Sequence, residues 1–109
     1  MNLTLAEAAI GAGAVLEAPA STANAGALMT RGYSIDSRTV TEGELFFAVR
    51  GQRHDGHDFV ADAIKRGALA AVVSRARVAT LPDAALAVPL LITEDPLLAL
   101  QTLATHVRR

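Results

Sequence analysis

Residues 45–49 read Leu-Phe-Phe-Ala-Val, an unbroken apolar run between Gly43 and Gly51. A strand with one wet face shows a polar residue at every second position; this run has none, so it is read as a strand buried on both faces. Leu69 to Val73 repeats the signal. Between the two runs Phe59, Ala63 and Ile64 recur at helical spacing, with Asp58 placed as an amino-terminal cap and Gly67 as a left-handed stop. Parallel strands need a crossover, so strand, helix and strand over about thirty residues predict a βαβ unit.

Other elements frame this unit. Leu3 to Leu16 reads as a helix opened by a capping box, Thr4 with Glu7 three residues later. Ala18 to Arg31 is weakly patterned, and Gly32 to Asp36 and Leu90 to Thr93 are two further strands. Asp95-Pro96 starts a last helix with a capping carboxylate and a proline at the first helical position, where a missing amide proton costs nothing. Leu97, Leu100, Ala104 and Val107 fall on one face of that helix, and Gln101, Thr105 and Arg108 on another, so it is expected to cover a sheet. With 109 residues, 51% hydrophobic and 19% charged, one domain with one core is expected.

Charge and composition exclude several classes. Lys+Arg 10 against Asp+Glu 11 gives a net charge of −1, which supplies no field for nonspecific binding of nucleic acid. Phe46 and Phe47 are adjacent and point to opposite faces, so they are core residues and not a base-stacking platform. The apolar amino-terminal stretch is interrupted by Glu7 and no basic region precedes it, which argues against a signal peptide or a membrane span. Cysteine is absent, which removes disulfides and thiolate chemistry and fits a reducing, cytoplasmic setting.

Two polar islands follow predicted strands, where open α/β sheets bind ligands: Asp36-Ser37-Arg38, and Gly51-Gln52-Arg53-His54-Asp55-Gly56-His57-Asp58. A loop with two glycines can bring its backbone close to a ligand and turn several amides toward one anion, to which Arg53 or His54 adds positive charge. That chemistry suits a diphosphate. The same residues also fit a turn cap with a surface ion pair and a plain connecting loop, and neither GxGxxG nor GxxxxGK[ST] occurs. His54, Asp55, His57 and Asp58 are metal-ligating types, but they lack the helical i, i+4 spacing, so no metal site is expected. No GxSxG elbow surrounds Ser37, and no catalytic residue is assigned.

Three blocks carry a family resemblance: Gly32-Tyr33-Ser34-Ile35-Asp36-Ser37-Arg38, the run from Gly43 to Gly51, and Asp55-Gly56-His57-Asp58-Phe59. In order and spacing they resemble the opening domain of the Mur ligases, which build the stem peptide of peptidoglycan. The resemblance covers most of the chain from Gly32 onward, and Leu90 to Leu103, LLITEDPLLALQTL, is more similar to MurF than to MurE, the alternative. It implies an α/β fold, a small mixed sheet with a βαβ unit and flanking helices. Residues 1–109 would be a single UDP-binding domain whose partner is a UDP-N-acetylmuramoyl peptide. Ile35 and Ser37 would contact the uridine, Arg38 would support that loop, and Gln52, Arg53 and His54 would lie against the diphosphate, with Asp36, Gly51, Asp55 and Gly56 shaping the loops. ATP, magnesium and the catalytic groups would belong to central and carboxy-terminal domains absent here, in an enzyme that adds D-alanyl-D-alanine to UDP-N-acetylmuramoyl-tripeptide through an acyl phosphate. A non-catalytic nucleotide-sugar-binding module is the other alternative, and in either case this piece alone would be inactive.

Overall fold

The computed structural model describes residues 2–107. In chain order the main elements are α1 (Leu5–Ala12), β1 (Val15–Glu17), β2 (Tyr33–Ser34), β3 (Leu45–Phe47), α2 (Val60–Lys65), β4 (Ala70–Ser74), β5 (Leu90–Thr93) and α3 (Pro96–Val107), with short 3₁₀ turns between them. The strands form one sheet in the order β1-β5-β4-β3-β2. β2, β3, β4 and β5 pair in parallel, and β1 pairs antiparallel with β5, Val15 lying opposite Ile92. This is the expected mixed α/β sheet, and β3-α2-β4 is the expected βαβ unit.

Helix α1 opens on the capping box: the Glu7 amide donates to Thr4 Oγ1 at 3.1 Å, and the Thr4 amide to the Glu7 carboxylate at 2.9 Å. It does not reach Leu16 as the apolar count suggested. Gly13, at φ 67, ends it in a left-handed conformation that costs glycine nothing, and the chain turns into the edge strand β1.

Two cores replace the expected single one. Phe46 packs with Val60, Ala63 and Ile92 under α2, whereas Phe47 packs with Leu5, Ala8 and Leu103 under α1 and α3. Both rings are 0% exposed. Burying each contributes roughly 1.5–3 kcal/mol, so the sheet is stabilised from both sides.

The buried stripe of α3 also differs from the expected one. Pro96, Ala99 and Leu103 face the core, and Leu100 of the expected face packs against it in part, while Leu97 and Val107 are 46% and 43% exposed. Apolar residues occupy most of this helix's circumference, so periodicity admitted two stripes; close approach to α1 selects the one with the small Ala99. The approach is tight enough that a Cβ on Gly11 would stand 2.8 Å from the His106 ring. Arg108 lies outside the described residues. No described helix is long and apolar enough to cross a membrane.

Candidate functional site

Because β2 through β5 run in parallel, the loops that follow them all emerge at one edge of the sheet, the edge at which α/β folds bind ligands. The loop after β2 is a compact turn. Asp36 caps it by accepting from the Arg38 amide at 2.9 Å, and the Arg38 guanidinium donates to the same carboxylate at 2.8 Å. Those hydrogen bonds from Arg38 hold the Asp36 carboxyl at about 2, below its ordinary 3.8. The Ser34 hydroxyl lies 2.9 Å from that of Thr39 and donates to the Asp36 carbonyl at 2.9 Å, closing the turn from inside. Asp36 thus shapes this loop and Arg38 braces it. Ser37 is 8% exposed, and Ile35 beside it is 56% exposed.

The loop after β3 is a tight reversal. The Gly51 amide donates to the His54 carbonyl at 2.8 Å and the Gly56 amide to the Val49 carbonyl at 3.0 Å, so these two amides serve the loop itself. The amides of Gln52, Arg53 and His54 have no intramolecular acceptor among the described residues. Gly56 is required by close approach: a Cβ there would stand 2.7 Å from the Val49 nitrogen and 2.9 Å from Ala48 Cα. The cap of the following 3₁₀ turn is Asp55, which accepts from the His57 amide at 3.0 Å, and not Asp58. Helix α2 begins after Phe59 without a side-chain cap.

His57 is 5% exposed, and both of its ring nitrogens are in use. The Ser74 amide donates to Nε2 at 2.9 Å, so Nε2 is the acceptor and Nδ1 carries the proton donated to Asp55 at 2.6 Å. The other oxygen of Asp55 accepts from Arg77, which also reaches Asp58 at 3.4 Å. Burial pushes the Asp55 carboxyl up, but the hydrogen bonds from His57 and the charge of Arg77 outweigh it and leave Asp55 below its ordinary value. No cluster of three metal-ligating side chains is found among the described residues.

A cleft of about 710 Å³ lies between the two loops, with Ile35 and Ser37 on one wall, Arg53 and His54 on the other, and Phe59 contributing apolar surface above the fully buried Phe46. His54 stands edge-on to Phe59, ring centroids 5.8 Å apart. Asp36, Arg38, Gly51 and Gly56 also line this cleft, whereas Gln52 lines a neighbouring one of about 730 Å³ together with Arg77 and Asp55. Sequence reasoning missed Arg77 and the anchoring role of His57. Arg77 stands in an unpatterned turn 22 residues from Asp55, and nothing local marks the pairing.

Residues 30–108 match the family described as Mur ligase family, catalytic domain. A UDP-N-acetylmuramoyl-L-alanyl-D-glutamate--2,6-diaminopimelate ligase of Mesorhizobium japonicum is 47% identical over 74 residues, 67% of this chain and 14% of that protein. Among solved structures, MurF from Acinetobacter baumannii superposes with a TM-score of 0.76 at 24% identity, covering 99% of this chain and 21% of that one. MurF from Thermotoga maritima, in complex with ADP, gives a TM-score of 0.56 at 35% identity over 71% of this chain and 16% of its own. The chain therefore spans about a seventh to a fifth of the proteins it matches. Since the family match takes in most of its residues, from before β2 to the end of α3, the chain belongs to the Mur ligase family.

Proposed function

We infer that this chain is the domain of a Mur ligase that holds the uridine diphosphate end of a UDP-N-acetylmuramoyl peptide. The observation that carries this reading is the meeting of the loops after β2 and β3 at one cleft. The apolar surface at Ile35 and Phe59 suits a flat base. Ser37 offers it a hydroxyl, and Arg53, His54 and the free amides of residues 52–54 suit a diphosphate. Gln52, facing the neighbouring cleft, would meet the ligand only where it leaves the first.

The diaminopimelate-adding branch, MurE, fits better than the MurF branch expected from residues 90–103. Identity is 47% over 67% of the chain to the diaminopimelate ligase, against 35% over 71% to a MurF, and a superposition at 24% identity reports fold alone. The whole enzyme would form a peptide bond at the expense of ATP. This chain has no GxxxxGK[ST] loop, and its described residues form no cluster suited to magnesium. Its residues do not fit those groups, which we assign to central and carboxy-terminal domains. The part played here is to hold the nucleotide handle, so that remote binding energy positions the reacting carboxylate.

A titration followed by backbone NMR tests the site. UDP should shift the amides of Ile35 to Arg38 and of Gly51 to Asp55 together, and uridine mainly the first group. Ser37→Ala should weaken UDP by about 0.5–1.5 kcal/mol, and the effect of Arg53→Ala should shrink as salt rises. Shifts confined to one loop would defeat the reading. Assaying the enzyme that contains this chain with diaminopimelate and with D-alanyl-D-alanine decides the branch.

A further inference from the structure

We propose that Arg77 is a positioning residue for the nucleotide cleft, acting through Asp55 on the turn that presents residues 52–54; the proposal rests on the reading of that cleft as a UDP site. Arg77 stands in the 3₁₀ turn Arg75–Thr80 that follows β4 and belongs to neither ligand-facing loop. Three of its five N–H donors go to protein: one on Nη1 to Asp55 Oδ2, one on Nη2 to Asp58 Oδ1 at 3.4 Å, and that on Nε to Thr80 Oγ1 at 3.0 Å. Thr80 Oγ1 in turn donates to the Arg77 carbonyl at 2.7 Å, which fixes the turn from which the arginine reaches.

Asp55 is the residue on which this grip matters. It directly follows His54, pairs across the reversal with Arg50, and is held at its other oxygen by the His57 ring. One carboxylate is therefore clamped between a buried histidine anchored on β4 and an arginine anchored beyond β4. The reversal from Gly51 to His54 is closed by a single backbone hydrogen bond, and Asp55 is where its far end is fastened to the sheet. Fixing both carboxylate oxygens fixes the direction in which the amides of residues 52–54 and the side chains of Arg53 and His54 point. The planar fork of an arginine can bridge Asp55 and Asp58 together, which a lysine's point charge does not reproduce.

The inference is tested first without ligand. In Arg77→Gln, hydrogen exchange at the Gly51 and Gly56 amides should accelerate several-fold while that of core amides in β4 stays unchanged, and Arg77→Lys should restore little. The Kd for UDP should then rise about tenfold, the equivalent of one charge-assisted hydrogen bond, and that for uridine should hold. Asp55→Asn should reproduce the effect, and adding it to Arg77→Gln should add almost nothing. Unaltered exchange in Arg77→Gln would overturn the clamp. Faster exchange with an unchanged Kd for UDP would overturn the positioning role, and full recovery by Arg77→Lys would show a direct charge effect instead. If the unsubstituted chain bound no UDP, the functional reading and the ligand role of Arg77 would fall together, with the exchange result showing whether the clamp itself exists.

Discussion

Among the described residues, no side-chain hydrogen bond of the loop after β2 reaches further than the five residues from Ser34 to Thr39. The loop after β3 is fastened across 17 residues by His57 to Ser74, across 19 by Asp58 to Arg77 and across 22 by Asp55 to Arg77. The first is a turn with an exposed ion pair whose side-chain hydrogen bonds close on itself, although Ser37 and Val40 are buried against the rest of the fold. The second exists only once β3 and β4 are side by side, so its shape and the sheet's integrity are one property. A ligand touching both loops would join a locally determined wall to a globally determined one.

The largest expected effect breaks the second loop from beneath. Gly56→Val places a side chain where a bare Cβ is already 2.7 Å from backbone, and should cost about 3 kcal/mol in urea unfolding. A loss below about 0.5 kcal/mol would show that the loop can lift off without disturbing the sheet. Next, His57→Phe keeps the ring volume but leaves the Ser74 amide and Asp55 without their partner, for a loss of about 2 kcal/mol. That loss should come with altered amide shifts at Ser74 and at Gly51 to Asp55, and none at Ser37.

The smallest effect concerns the first loop. Asp36→Asn should move the unfolding midpoint less than either change above and perturb only residues 34–39. Acid should act in the same local way. The Asp36 carboxyl is lowered from 3.8 to about 2, so its contribution is complete above its ordinary value and is lost as pH falls through about 2. Asp55, also lowered, loses its contribution in the same direction, but there the amides of both the loop and Ser74 should respond. If acid moved Ser74 and Arg38 in concert, the two loops would not be independent.

This contrast also accounts for what could be read from the sequence. The Asp36 turn, the capping box at Thr4, the cap at Asp95 and the two-sided burial of Phe46 and Phe47 are all local patterns, and each is found where the residues placed it. The edge strand at Val15 was hidden because its apolar residues continue the helical count, and antiparallel pairing with β5, 77 positions away at Val15 and Ile92, leaves no nearby mark. Arg77 was hidden for the same reason. Asp58 has the pattern of a helix cap because it stands just before an apolar helical repeat, but α2 has no side-chain cap, and Asp55, three residues earlier, caps the intervening 3₁₀ turn.

The adjacent pair Phe46-Phe47 carries a last consequence, for how this chain tolerates change. Each ring fills its own side of the sheet, so sliding β3 by one position would exchange one phenylalanine for the other and leave both sides furnished with an aromatic ring. Hydrophobicity alone therefore distinguishes the two alignments poorly. What separates them is Ala48, whose small side chain is fully buried in the core under α2; slippage would bring the larger Phe47 or Val49 into that space. Substitutions among the bulky residues of β3 should consequently be absorbed, whereas a single-residue insertion or deletion between Leu45 and Gly56 should be rejected.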